Sequence, residues 1–221
     1  MARIGVVADS HVGEYLDALP PEVATALEGC ELILHAGDIS RTWVLDELAQ
    51  IAPVVAVYGD HDELDGLQLP KHTVVTVGGK RIGLIHGRRA YLLDLAVVVV
   101  NVLARGRLRW RAGLHRSLLR TVGPVDCCVY GHWHEPVVTQ VAGTLVFSPG
   151  AVCPWGSLEG DRVPGTGLQG ISDRWVRAFR TQLGPEAMRR HVGIIEITDG
   201  RITATAVPLG APDQSAPAPR S

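Results

Sequence analysis

Five short stretches of this chain carry carboxylates, imidazoles or both: Asp9-Ser10-His11, Gly37-Asp38, Gly59-Asp60-His61-Asp62, His86-Gly87 and Gly131-His132-Trp133-His134. Mixed oxygen and nitrogen ligands of this kind suit Mn, Fe, Zn, Co or Ni rather than Ca. Three carboxylates and four imidazoles are enough to hold two divalent cations about 3.5–4 Å apart, the separation used for in-line attack on phosphorus. Taken singly, each stretch is unremarkable, since Gly-Asp pairs are ordinary turn formers. Five of them in one chain point to a dinuclear centre.

The elements that must position these residues follow from hydrophobic patterning. Four of the five stretches come directly after an apolar run. Arg3–Ala8, Glu31–His35, Val54–Tyr58 and Val125–Tyr130 read as strands, with helices beginning near Pro21 and around Thr42–Gln50. Such alternation predicts an α/β domain. Thr73–Val77 and Arg81–Ile85 flank Gly78-Gly79 as a β-hairpin, because a two-residue Gly-Gly loop accepts the positive φ required. Pro136–Gln140 with Thr144–Phe147, and His191–Ile197 with Ile202–Val207 around Asp199-Gly200, read as two more. The candidate ligands thus lie just past the carboxyl ends of strands, where open α/β sheets place their sites. His132 and His134 alternate on an extended chain, so both face one site only if the backbone turns, and Gly131 is expected to permit the turn.

At 221 residues the chain suits one domain with a proper core. That domain is read as residues 1–207, with long excursions at about 88–122 and 155–190, followed by a disordered Pro/Ala/Ser tail at 208–221. A hydrophobic content of 46%, a charged content of 20% and a net charge of −2 give no sign of a nucleic-acid or anionic-membrane surface. No signal peptide is read at the start, and a cytoplasmic location is expected. Cys30, Cys127, Cys128 and Cys153 form no CxxC pair and read as reduced core cysteines, with Cys127 and Cys128 on opposite faces of a strand. In the first excursion Leu92 to Leu103 is almost wholly apolar, and Arg105, Arg107, Arg109, Arg111, Arg116 and Arg120 follow. About a dozen apolar residues do not span a bilayer. The run reads as a packed helix or strand followed by a solvated amphipathic helix, as an oligomer contact, or as a cap over the site with apolar residues for a lipid-like tail and arginines for phosphate or membrane headgroups. The second excursion begins Gly-rich and carries a helix from Ser172 to Leu183, read as a flap or dimer arm. His35 is expected to pack behind the Asp38 loop, and His72, His115 and His191 to be surface or packing histidines.

Together these motifs resemble the calcineurin-like metallophosphoesterase superfamily, most closely its compact bacterial and archaeal phosphodiesterases, from residue 1 to about 151. The resemblance implies an α/β (α+β) fold, a four-layer αββα sandwich of two sheets flanked by helices. It implies that Asp9, His11 and His134 hold one metal, that Asp60, His86 and His132 hold the second, and that Asp38 bridges them. Two divalent ions follow, Mn first, with Fe, Zn, Ni or Co as alternatives. The family's nucleophile is a metal-bridging hydroxide, which needs no phosphoenzyme. The expected activity is hydrolysis of small phosphodiesters, in a chain that can form homo-oligomers. The alternatives are a non-catalytic scaffold of the same fold, a lipid or nucleotide pyrophosphohydrolase, or a nuclease.

This chain departs from the family pattern at two places. Position 60 is normally asparagine. With Asp60, three carboxylates face four metal charges, and a hydroxide brings the set near neutrality, which should favour diester monoanions over monoester dianions. His61 occupies the place of a catalytic histidine that can bond a phosphoryl oxygen or protonate the leaving alkoxide. In the phosphoprotein phosphatases an acid three residues after the bridging aspartate orients that histidine, and here the place is Arg41. Its orienting partner is therefore absent or comes from elsewhere, with Asp62 and Asp65 nearby. Arg41 itself is a candidate for substrate phosphate.

Overall fold

The computed structural model describes residues 1–62, 64, 66–105, 111, 113–154, 174–176, 178–180 and 182–210. The apolar runs form β1 (Ala2–Val7), β2 (Leu32–His35) and β3 (Val54–Ala56), joined in one sheet by β9 (His191–Thr198) and β10 (Arg201–Pro208), in the order β10-β9-β1-β2-β3. A second sheet holds β4 (His72–Val77), β5 (Lys80–Ile85), β6 (Cys127–Tyr130), β7 (Pro136–Val141) and β8 (Thr144–Pro149), in the order β4-β5-β6-β8-β7. Strands β1, β2 and β3 run parallel, as do β5, β6 and β8. The five ligand-bearing stretches leave the carboxyl ends of β1, β2, β3, β5 and β6. The hairpin turns fall at Gly78-Gly79, Ala142-Gly143 and Asp199-Gly200, each with positive φ at both central residues, the hand that matches strand twist.

Three apolar interfaces stack the layers. Helices α1 (Pro21–Leu27) and α2 (Trp43–Ala49) bury Val23, Leu27, Val44 and Leu48 against Val7, Ile33 and Ile194 of the first sheet. Between the sheets, Ile4, Val6 and Ile195 meet Ile82, Leu84, Val129 and Phe147. Helices α3 (Tyr91–Leu103) and α4 (Leu114–Val122) cover the second sheet. Their Val97, Val98, Leu114, Leu118 and Val122 pack on Ile85, Cys128, Tyr130 and Val146. In α4 the buried positions recur every fourth residue, the stripe of an amphipathic helix. Four layers, α-β-β-α, result. Successive side chains of a strand face opposite ways, so Cys127 enters the inter-sheet core and Cys128 the helix-facing one. All four cysteines are buried and free.

Several boundaries differ from the sequence reading. The third strand ends at Ala56 rather than Tyr58, because Tyr58 N–H leaves the sheet for the Pro70 carbonyl at 2.9 Å, which swings Gly59 towards Asp38. The sixth begins at Cys127 rather than Val125. Pro208, given to the tail by composition, still pairs with His191, and Leu209 is buried in the cluster under α1 and α2. One buried leucine outweighs the local Pro/Ala bias. The rest of the tail, from 211, lies outside the described residues, as do residues 155–173 with the Gly-rich loop. Of the helix expected over 172–183, residues 174–176 and 178–180 are helical. The run from Leu92 to Leu103 is helical throughout. Among the described residues no helix is long and apolar enough to cross a membrane.

Candidate metal centre

Five of the seven expected ligands sit on left-handed backbone: Asp9 (φ 50°), His11 (47°), Asp38 (55°), His132 (71°) and His134 (51°). Non-glycine residues seldom adopt this conformation, and strained backbone of this sort costs about 1–3 kcal/mol per residue, held only where surroundings enforce it. Here the loops enforce it on one another. The amide of Asp9 donates to Gly37 O at 3.1 Å, that of His11 to Asp38 O at 3.0 Å, and that of Cys153 to Asp9 O at 2.9 Å. The expectation for Gly131 needs correction. The turn is made by His132 and His134 themselves. Gly131 is required for close approach, since a Cβ there would stand 2.9 Å from Asp9 Oδ2.

The side chains converge. Asp9, His11 and His134 present ligand atoms within 4.8 Å of one another, and so do Asp38, His86 and His132. Asp38 Oδ2 lies between the two groups, 3.5 Å from His11 Nε2 and 3.4 Å from His86 Nε2. Its other oxygen accepts the amides of Asp60 at 2.5 Å and His61 at 2.9 Å. Asp60 Oδ2 faces His132 Nδ1 at 3.5 Å and His86 Nε2 at 3.9 Å. Asp9 accepts the His132 amide on both oxygens and faces His134 Nε2 at 3.7 Å. His86 Nδ1 donates to the Ala36 carbonyl at 2.8 Å. That bond fixes the tautomer and turns Nε2 inward, as metal-ligating histidines are held.

These residues fit a pair of divalent cations. The Nε2 atoms of His11 and His86 are buried with no hydrogen-bond partner among the described residues, although buried polar atoms are normally satisfied. Both point at one carboxylate oxygen. The electrostatics agree. Burial works against charge on Asp38, yet His86 and His11 hold its carboxyl well below the usual range. Burial likewise opposes a charged His86, but Asp38 and Asp9 push it up to about 10. Burial drives Asp9 well above the carboxylate range, and Asp38 adds to the effect. With no cation present, protons must balance this crowd of carboxylates, and metal binding releases protons from such sites.

Around the centre stand two acids that the sequence reading does not single out, Glu14 and Asp94, beside several residues that it does. Glu14 reaches His11 Nδ1 at 3.3 Å and His61 Nδ1 at 3.0 and 3.1 Å with its two oxygens. Burial raises its pKa, but bonds to His11 and His61 bring it down to about 2, so it is a carboxylate at neutral pH. The partner sought for His61 is therefore Glu14. Its sequence signal is slight, an acid three residues after His11. Asp62 does other work: it accepts the amides of Ile39, Ser40 and Gly59 at 2.6–2.8 Å and braces the Asp38 loop. Asp65 lies outside the described residues. From the amino end of α3, Asp94 faces His132 Nε2 at 3.6 Å. Its sequence signal is that it is the lone acid of a largely apolar helix. Arg41 lies along Gly13 and donates to Ser40 O at 3.2 Å. His35 is buried and its pKa is lowered to about 3 by that burial, and it pairs with Ser10 Oγ at 3.1 Å behind the Asp38 loop. Of the remaining histidines, His72 is exposed, His115 bonds Tyr130, and His191 is buried against Glu186.

Known proteins share these features. The chain is 30% identical over 148 residues to a probable metallophosphoesterase of Methanothermobacter thermautotrophicus, covering 67% of this chain and 76% of the relative. It is 26% identical over 169 residues to a phosphodiesterase of Methanocaldococcus jannaschii, covering 68% of this chain and 84% of that one. In fold it is similar to vacuolar protein sorting 29 of Cryptosporidium parvum, with a TM-score of 0.57, 18% identity, and coverage of 95% and 98%. The calcineurin-like phosphoesterase superfamily domain matches residues 2–163, and this span contains both parallel strand triplets and all seven converging side chains. By sequence and by architecture, then, the chain belongs to the calcineurin-like phosphoesterase superfamily.

Proposed function

We propose that this chain is a dinuclear-metal phosphoesterase that cleaves small phosphodiesters. The observation that carries the proposal is one oxygen, Asp38 Oδ2, at 3.5 and 3.4 Å from two buried imidazole nitrogens that have no hydrogen-bond partner among the described residues. Asp9, His11 and His134 would hold one cation, Asp60, His86 and His132 the other, and Asp38 both. Such a pair, when bound, supplies Lewis acidity for the phosphoryl oxygens and an activated water, with manganese the ion to try first.

The chain's own residues set the rest. The His61 ring stands 4.9 Å from that of His11, with its side chain 41% exposed. Because Glu14 engages Nδ1, the Nε2 edge of His61 is the one left to bond a phosphoryl oxygen or to protonate a departing alkoxide. Arg41, following the Asp38 loop, is included as a substrate contact. A role as a scaffold without catalysis is favoured only by the fold likeness to vacuolar protein sorting 29. The full complement of ligand side chains speaks for the enzyme.

The test is a panel of bis-p-nitrophenyl phosphate, p-nitrophenyl phosphate and single-stranded DNA, with manganese added and then chelated, beside metal counting by anomalous scattering. Two ions and manganese-dependent diester cleavage, both lost in Asp38→Asn, are expected. Hydrolysis that survives Asp38→Asn, or a single ion at saturating manganese, overturns the proposal.

A further inference from the structure

Asp60 divides its two oxygens. Oδ2 faces the His132 and His86 nitrogens, while Oδ1 accepts Arg88 Nη1 at 2.6 Å. The guanidinium is thus clamped to a carboxylate at the rim of the centre, with 47% of its side chain exposed, and Asp60 is the only hydrogen-bond partner of Arg88 among the described residues. Its neighbour Arg89 is used differently. That side chain is 6% exposed and committed to Asp94 at 2.7 Å and to the Arg111 carbonyl at 3.2 Å. One arginine ties the start of α3 to the segment before α4, and the other stands half exposed beside Asp60.

The aspartate at position 60 is what makes this possible. An asparagine there has a single acceptor oxygen. If that oxygen faced His86 and His132, its NH2 group would face the guanidinium, donor against donor. Charge points the same way. Counted over the ligands alone, Asp60 costs the centre one positive charge relative to an amide, and Arg88 returns that charge on the solvent side. Arginine is also the side chain whose planar fork matches phosphate oxygens.

We propose that Arg88 is a substrate-phosphate arginine, positioned by Asp60, and that its ligand is a phosphoryl dianion. This rests on the phosphoesterase reading above. The dianion can be a monoester substrate or the monoester product left by diester cleavage, and both gain more than a diester monoanion from one added cation. The carboxylate fixes one edge of the guanidinium and leaves its other N–H groups for the ligand.

Calorimetric titration of inorganic phosphate into manganese-loaded protein tests this, with manganese affinity measured separately for each variant. Arg88→Ala should weaken phosphate binding by roughly tenfold or more, the usual loss for a hydrogen bond to a charged group, and leave two manganese ions bound at affinities within about threefold of the original. Arg88→Lys, which keeps the charge without the fork, should fall between the two. Turnover of p-nitrophenyl phosphate separates the two sources. If the monoester is hydrolysed and Arg88→Ala raises its KM, the dianion is a substrate. If it is not hydrolysed and Arg88→Ala weakens its inhibition of bis-p-nitrophenyl phosphate cleavage, the dianion is the retained product. Unchanged phosphate affinity in Arg88→Ala refutes the proposal, as does a manganese affinity that falls in equal measure, since Arg88 would then act by holding Asp60 in place as a ligand and not on the phosphate. Failure of the phosphoesterase reading itself would show in the unaltered protein, which would neither bind phosphate nor hydrolyse the diester.

Discussion

Glu14→Gln is the most informative single change at this centre. The carboxylate spans two imidazoles, with oxygens 3.3 Å from His11 Nδ1 and 3.0–3.1 Å from His61 Nδ1, and it stays ionised because its pKa is held at about 2. Glutamine is isosteric but has one acceptor and one donor face, so one imidazole N–H must meet an N–H. A hydrogen bond to a charged group is worth about 1.5–3 kcal/mol, which corresponds to a fall of about 10–100-fold in rate or metal affinity. Loss of a residue that orients metal ligands falls in the same range. Which imidazole suffers decides the symptom. Loss at His61 lowers kcat for bis-p-nitrophenyl phosphate at full manganese occupancy, and loss at His11 lowers manganese affinity. The decisive comparison is a cycle with His61→Asn. If Glu14 acts on catalysis by orienting His61, adding Glu14→Gln to His61→Asn leaves kcat nearly unchanged. Effects on kcat that add to within about 0.5 kcal/mol, as for independent sites, would refute the reasoning, as would a Glu14→Gln variant with unaltered kcat and metal affinity.

Two further outcomes follow from the geometry. Gly59→Ala would drive a Cβ into the Asp38 amide nitrogen and Asp38 Oδ1, contacts relieved only if the backbone of the Asp38 loop shifts together with its carboxylate. We expect about 1–3 kcal/mol of destabilisation and fewer than two manganese ions per chain by elemental analysis; two ions at the original affinity would contradict the close approach. Chelating the metals should lower the melting temperature, because each ion at about 100 times its Kd stabilises by about 2.7 kcal/mol. For a chain of this size that is about 5–10 °C per site, read by calorimetry with and without chelator; an unshifted transition would show that the folded state binds no metal.

Much of this molecule can be read from its residues in order. Runs such as Ile4–Ala8 and Leu32–His35 have no polar alternative to burial, and the Gly78-Gly79 and Asp199-Gly200 turns specify their hairpins locally. The five motif stretches announce metal chemistry because no other common site needs so many carboxylates and imidazoles in turns. Local pattern also misled. Composition places Pro208 in a tail, yet strand pairing holds it against His191, and the turn that the sequence suggests at Gly131 is made by its histidine neighbours.

What the order of residues could not contain is distance across the chain. His61 lies 47 positions from Glu14, and Arg88 lies 28 from Asp60, and nothing near either residue identifies its partner. Residue types and their spacing determined that this chain carries carboxylates and imidazoles able to hold metal just past the carboxyl ends of its strands. The packing of two sheets face to face decided which acid holds His61, which arginine Asp60 presents, and that Asp38 stands between His11 and His86. The reason is physical: ligand type is a property of each side chain, whereas a contact between loops exists only once the apolar faces beneath them have been driven together.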